Sequence, residues 1–196
     1  MNTRALAAAL IFASASPVMA ADQDGDFAVK GAGLEPCRDY LSAREDESPK
    51  YVVYRTWLNG FVTGYNMQTA DTYDVAPLHA VGDLAAALAR VCQDNADKPL
   101  INAAAGLVQG LEPARTTQQS PAVEIDAGDT TISMPANLLA RIQQRLKAQG
   151  LYDGPIDAKY GPGTRSALEA YQEQAGLDAN GIPNRRTVVR LMQQGG

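Results

Sequence analysis

Apolar residues recur at helical spacing in three segments of the last third of the chain. Residues three or four positions apart share one face of a helix, so each segment is predicted to be amphipathic. The first helix ends at Gly150, the second begins at Gly161-Pro162, and the third begins at Asn184, a common N-cap residue. The predicted inner faces are Leu138, Leu139, Ile142 and Leu146; Ala167, Leu168 and Tyr171; and Val188, Leu191 and Met192. Together they predict a small helical bundle at the end of the sequence.

Residues 34–111 predict a separate helical domain. Its central helix covers 51–65, a second helix covers 78–95, and a third begins near Pro99. A row of larger residues, Val53, Trp57, Phe61 and Tyr65, repeats every four positions along the central helix, as does a row of small ones, Thr56, Gly60 and Gly64. A helical glycine costs about 1 kcal/mol relative to alanine. We therefore expect the small row to allow close approach of another helix.

Composition sets the remaining boundaries. Residues 1–20 have the pattern of a secretory signal peptide, with Arg4, a short apolar core and cleavage after Ala20. Residues 21–33 are predicted to be a disordered lead-in, and residues 112–132 a flexible linker in which 130–132 form a short strand. The fold class is therefore mainly α, with a helical domain at 34–111 joined to a three-helix domain at 133–196.

Cys37 and Cys92 are the two cysteines of the chain. An even count in an exported domain predicts one disulfide, because export leads to an oxidising compartment. Two free thiols, or a catalytic cysteine, are the alternatives. The cleavage site carries no cysteine, so a lipoprotein is not expected.

The C-terminal segment contains a short internal repeat. Gly150-Leu151 leads through a turn to Thr164, and Gly176-Leu177 leads through a turn to Thr187. A capping residue stands three positions before each threonine, so each hydroxyl is expected near the first free backbone groups of its helix. On one interpretation these threonines only cap helices. On the other they shape a binding surface.

The same segment resembles the peptidoglycan-binding domain of bacterial cell-wall proteins over about 56 of its residues. The matching positions are Gln143 and Leu146, Gly150 and Tyr152, Asp157 to Gly161 with Thr164, Ala167-Leu168, Tyr171-Gln172, Gly176-Leu177, Gly181 and Thr187. Two positions depart from the family pattern. Ala158 stands where a glycine is usual, which costs stability if positive φ is required. Asn184-Arg185-Arg186 replaces a Gly-Pro turn.

The resemblance implies peptidoglycan as the ligand. The candidate contacts are Asp157, Tyr160, Thr164, Arg165, Tyr171 and Gln172. Asp157 would accept hydrogen bonds from sugar hydroxyls or amides, Tyr160 would offer a flat ring, and Arg165 would pair with a stem-peptide carboxylate. The alternative is that Tyr171 and Gln172 are core and turn-bracing residues, and that Asp157 braces its own loop.

Residues 34–111 resemble, more loosely, the disulfide-linked helical proteins of the bacterial periplasm. That group includes HdeA-type acid-stress chaperones and immunity proteins that inhibit peptidoglycan amidases. The resemblance implies a partner-binding domain in the periplasm and assigns no site residue. It leaves open an acid-stress chaperone or inhibitor for which the C-terminal module is only an anchor.

Charge divides the chain. Residues 21–132 hold 8 Lys/Arg against 17 Asp/Glu, a net charge of −9, whereas residues 133–196 hold 8 against 5, a net charge of +3. A basic module suits an anionic polymer such as peptidoglycan, although a surface of this charge is also ordinary. The export signal and the acidic balance argue against nucleic acid as a partner, and no apolar run after residue 20 is long enough to span a membrane.

The residues that catalysis requires are sparse. His79 is the one histidine, so neither a zinc site nor a cysteine–histidine pair is expected. Glu35, Glu45 and Glu47 are the carboxylates that a glycosidase would need, in a domain with little room for a glycan cleft. We predict a non-catalytic protein without metal or cofactor, and an accessory subunit of a cell-wall hydrolase system as a further alternative.

Overall fold

A computed structural model describes residues 27–79, 81–128 and 131–194. The predicted signal peptide and the first residues of the lead-in lie outside this range. The elements are a 3-10 helix at Gly31–Leu34, α1 Cys37–Glu45, α2 Pro49–Gln68, α3 Val81–Gln93, α4 Leu100–Leu111, a 3-10 helix at Glu112–Ala114, β1 Ala122–Asp126, β2 Thr131–Pro135, α5 Ala136–Ala148, α6 Pro162–Gln174 and α7 Arg185–Gln193. The protein is mainly α, as predicted. The short helix α1 has no counterpart in the sequence prediction.

The N-terminal helices pack around a disulfide. Cys37 at the start of α1 is bonded to Cys92 near the end of α3, and both are fully buried. This confirms the predicted pairing. The Tyr40 hydroxyl donates to the Ala85 carbonyl at 2.5 Å, which adds a buried hydrogen bond between the same two helices.

Helix α2 buries Tyr54, Leu58 and Val62. The expectation that Gly60 and Gly64 allow close approach of another helix is wrong, because among the described residues no atom outside the backbone of α2 lies within 4 Å of where a Cβ would stand at either position. Apolar residues occur all around this helix, so spacing alone does not identify the face that packs.

The described part of the predicted disordered lead-in packs on α2. The Trp57 indole donates to the Lys30 carbonyl at 2.8 Å, and a Cβ at Gly33 would lie 2.3 Å from the same ring. Ala32 and Gly33 are buried as a result. The small residues whose composition suggested disorder are therefore the ones that can pack against the Trp57 ring.

The segment predicted as a flexible linker, residues 112–132, contains more structure than its composition indicates. The backbone of Thr116 pairs with that of Asp74, and β1 forms an antiparallel hairpin with β2 in which Ile125 lies opposite Ile132. Ile125 and Met134 are 1% exposed and pack with the C-terminal helices. Burial of alternate apolar residues therefore holds the hairpin to the second domain.

Two hydrophobic clusters meet along α7. Val189 packs against both the N-terminal and the C-terminal cluster. An ion pair between Arg185 and Asp83 at 2.7 Å and hydrogen bonds from the Arg141 guanidinium to the carbonyls of Arg115 and Pro113 also join the two parts. The two parts thus have separate hydrophobic clusters, which meet at Val189, and polar contacts between them. None of the described helices is long and apolar enough to cross a membrane.

Candidate functional site

One buried side chain organises the loop between α5 and α6. The amide oxygen of Gln143 accepts hydrogen bonds from the backbone N–H groups of Asp157 and Ala158, at 3.0 and 2.9 Å. Its amide nitrogen lies 3.0 Å from the Lys159 carbonyl and 3.2 Å from the Thr164 hydroxyl. Gln143 is completely buried, so this network fixes the loop on α5 from inside the domain.

A second glutamine repeats this arrangement one helix later. The amide oxygen of Gln172 accepts from the Gly181 N–H at 2.8 Å, and its nitrogen donates to the Ile182 carbonyl at 2.9 Å and to the Thr187 hydroxyl at 3.0 Å. Gln172 is also completely buried. The internal repeat in the sequence is therefore a repeat of two glutamine-braced loops.

The two loops correspond residue by residue. Asp157 accepts from the backbone N–H of Lys159 two positions on, and Asn180 accepts in the same way from Ile182. The hydroxyls of Thr164 and Thr187 accept hydrogen bonds from the amide nitrogens of Gln143 and Gln172, and Thr164 also donates to the Lys159 carbonyl. These hydroxyls therefore face the loops and not the free N–H groups at the helix starts, where we expected them. The predicted N-cap at Asn184 is confirmed, since its side chain accepts from the Thr187 N–H at 3.0 Å.

Left-handed backbone occurs at the same point of each loop. Ala158 has φ of 57° and Gly181 has φ of 73°. At Gly181 a Cβ would lie 2.5 Å from Cγ of Arg165, so glycine is required there for space as well as for conformation. At Ala158 the methyl group is accommodated at the cost expected of an alanine with positive φ.

The first loop and the start of α6 enclose a groove of about 500 Å³. Its polar edge is formed by Asp153, Asp157 and Lys159, all exposed, and the start of α6 adds Ser166. A backbone hydrogen bond from Lys159 and one from the Gln143 side chain lower the pKa of Asp157, so this carboxylate is charged at neutral pH. The groove thus combines fixed charges with the nearly side-chain-free backbone at Gly161 and Gly163.

The other predicted contact residues lie elsewhere. Tyr160 donates its hydroxyl to the Gly181 carbonyl at 2.9 Å and so connects the two loops, and burial raises its pKa. Arg165 is exposed on α6 and pairs with Glu169 at 3.1 Å. Tyr171 is 2% exposed and belongs to the core. Of the six predicted residues, only Asp157 and Thr164 line the groove, and Thr164 does so from a buried position.

Comparison with known proteins agrees with this geometry. Residues 136–191 match the family described as "Putative peptidoglycan binding domain". The match begins at the first residue of α5 and takes in both braced loops and most of α7. The family match therefore supports a C-terminal peptidoglycan-binding domain. With the disulfide, the peptidoglycan-binding domain indicates a protein that works outside the cytoplasm.

One curated relative shares sequence with about half of the chain. It is described as "Putative OxPP cycle protein OpcA", from Synechococcus elongatus, and is 35% identical over 97 residues, which are 49% of this chain and 22% of the relative. The chain therefore spans about a fifth of that protein's length. No solved structure matches the chain.

Sequence reasoning missed Tyr152, Asp153, Lys159 and Ser166 as groove residues. Tyr152 stands two residues after Gly150 at a position that matches the family pattern, and its hydroxyl donates to the Pro155 carbonyl at 2.9 Å, which shapes the groove wall. This match to the family pattern was the one sequence feature that could have identified Tyr152 as a groove residue. Exposed Asp, Lys and Ser residues carry no periodicity, so their convergence depends on the folded loop.

Glu35 lies in a charge network in the N-terminal domain. It pairs with Lys50 at 2.7 Å and accepts a hydrogen bond from the Tyr54 hydroxyl. The hydrogen bond from Lys50, with that from Tyr54, lowers the pKa of Glu35. A general acid needs the opposite shift, so this arrangement suits a structural ion pair.

Proposed function

We propose that the protein binds peptidoglycan in the groove beside the first braced loop. The main support is that the segment matching the peptidoglycan-binding family contains a groove with a charged edge, and that the buried Gln143 fixes the loop that forms this edge. A fixed loop loses little conformational entropy on binding, which favours capture of a stiff polymer.

Each exposed group at the groove has a role in this proposal. Asp157 accepts hydrogen bonds from sugar hydroxyls or amide N–H groups of the wall. The Lys159 ammonium donates hydrogen bonds to hydroxyl or amide oxygens of the glycan. The glycines at 161 and 163 let the polymer approach the backbone closely. Tyr160 and Arg165, on the adjoining face, are proposed to extend the contact surface, whereas the buried Gln172, Tyr171 and Thr164 support it.

We propose further that the protein is exported to the periplasm and is not catalytic. In this view the N-terminal domain presents a helical surface to another periplasmic protein while the C-terminal domain holds the protein on the wall. The disulfide suits that location. A role as an accessory subunit of a wall hydrolase is a specific form of the same proposal.

Co-sedimentation with purified sacculi tests the groove. In Ser166→Trp a large side chain fills the groove, so we expect the affinity of the mature chain for sacculi to fall at least tenfold. The matched control is Glu173→Trp, an exposed position of α6 that does not line the groove. Equal circular dichroism and melting of the two variants establishes that both are folded. Wild-type protein that stays in the supernatant, or Ser166→Trp that sediments like wild type, refutes the proposal.

A second candidate is an acid-stress chaperone or inhibitor acting through the N-terminal domain. It is favoured by His79, because burial lowers the pKa of its imidazole to about 4, so that acid weakens the folded state. The test is aggregation of an acid-denatured client protein with and without the mature chain at pH 2 to 3. Unchanged aggregation rules this function out.

A further inference from the structure

A large groove lies between the two domains. It measures about 1040 Å³, with α3 and α4 of the N-terminal domain on one side and α7 on the other. We propose that this groove binds a carboxylate-bearing peptide, the stem peptide of peptidoglycan. The inference rests on the proposed wall-binding function. It adds a second site that binds the peptide, whereas the groove beside the first braced loop, here called the loop groove, binds the glycan.

The charge of the groove is one-sided. Its lining includes Arg90, Arg185, Arg186 and Arg190 and contains no carboxylate, although the whole chain has a net charge of −5. Arg185 is paired with Asp83, at 2.7 Å. Among the described residues the other three arginines have no ion-pair partner, and all three are exposed. Three unpaired guanidinium groups around one concavity favour a ligand with several negative charges.

The α4 side of the groove, which forms its floor, is largely apolar. Gly106 and Gly110 lie one turn apart on α4, and no atom lies within 4 Å of where a Cβ would stand at either. Leu107, Leu111 and Val189 complete the floor. Glycine inside a helix is costly, and packing within the described chain does not require it here. An open shelf of helix backbone is what an extended peptide needs in order to lie close to the surface.

The unpaired arginines and the apolar floor together favour a peptide as the ligand. Guanidinium groups form bidentate hydrogen bonds with carboxylates, and the apolar floor accommodates short side chains such as alanine methyls. A sugar chain without its peptides offers single lactyl carboxylates but no small apolar residues for the floor. The stem peptide combines free carboxylates with small apolar residues and is attached to the polymer that the neighbouring loop groove is proposed to hold.

Titration with soluble wall fragments tests the site. The probe is the set of disaccharide-peptides released from sacculi by muramidase, added to the mature full-length chain. We expect the double variant Arg186→Ala/Arg190→Ala to bind these at least tenfold more weakly, whereas Arg44→Ala, at an exposed position away from the groove, binds as wild type does. Fragments with their carboxylates converted to amides should bind wild type at least tenfold more weakly. Unchanged affinity in either comparison overturns the proposal.

The glycine shelf allows a second, steric test. Gly106→Leu places a side chain into open space on the floor and should reduce fragment affinity at least tenfold without lowering the melting temperature. Gly60→Leu, also in open space but on α2, is its control. A Gly106→Leu variant that binds normally contradicts a peptide lying on this floor.

The two proposed sites can be tested separately. If both proposals hold, glycan strands stripped of peptide by an amidase, with the exposed lactyl carboxylates then converted to amides, should still bind the arginine variants but not Ser166→Trp. Loss of stripped-strand binding in the arginine variants overturns the division between glycan and peptide sites. An oligoglutamate that binds more tightly than the wall fragment also overturns the proposal, and assigns the groove to an acidic protein segment.

Discussion

Replacing Gln143 with methionine tests whether one buried amide holds the first loop. Methionine is close in volume to glutamine, so the substitution removes hydrogen bonds while keeping the packing. The oxygen of Gln143 accepts two bonds, at 3.0 and 2.9 Å, and the two protons on its nitrogen have the Lys159 carbonyl and the Asp157 carboxylate at 3.0 and 3.1 Å.

The expected cost follows from these four bonds. Each contributes a net of about 1 kcal/mol, and the partners left in the half-buried loop are partly rehydrated. Burial of the more apolar methionine side chain offsets about 1 kcal/mol. We therefore expect a loss of about 3 kcal/mol in the free energy of unfolding of the C-terminal domain, or a melting temperature about 10–20 °C lower for a domain of this size.

Hydrogen exchange gives the most direct readout. In the wild-type chain the amides of Asp157 and Ala158 should be protected, because each donates to a buried oxygen. In Gln143→Met both should exchange at least tenfold faster. The control is Gln144→Met, the neighbouring exposed position on α5. Equal unfolding free energies for the two variants, within about 0.5 kcal/mol, together with unchanged protection of the two amides, would refute the bracing role.

Four further outcomes are expected. Reducing the disulfide, which closes 55 residues, should lower the unfolding free energy of the N-terminal domain by about 4 kcal/mol in urea titrations, and an unchanged midpoint would contradict this. Ala158→Gly should stabilise the C-terminal domain by about 1 kcal/mol, because φ there is 57°; a lower melting temperature would argue against strain. Gly181→Ala should cost at least about 1 kcal/mol more than Gly176→Ala, because both have positive φ but only Gly181 would clash with a neighbour; equal thermal stability of the two would dispute this. Burial lowers the pKa of His79 to about 4, from 6.5, so the folded state binds fewer protons than the unfolded state and stability should fall by about 2 kcal/mol as pH decreases from about 6.5 to about 4. His79→Asn should remove that part of the slope in urea titrations at a series of pH values, and an identical pH profile would count against it.

The sequence alone determined the α-helices of the structure except α1, the disulfide, and the family that the last domain resembles. These depend on short-range signals: apolar spacing along one helix, a proline or asparagine at its start, a glycine at its end, and two cysteines in a domain that is predicted to be exported. The N-cap at Asn184 was predictable for the same reason, because its bond to Thr187 spans three residues.

Only the tertiary structure decided what the polar residues do. Gln143 reaches Thr164, 21 positions away, and this contact exists because the intervening loop folds back on α5. At Gly60 and Gly64 of α2 no other described element packs closely, since which face of an apolar helix is buried depends on its neighbours. The groove between the domains follows from Val189 and the Arg185–Asp83 pair. Such contacts join residues far apart in sequence, and their geometry is set by the packing of whole helices, to which no local pattern is sensitive.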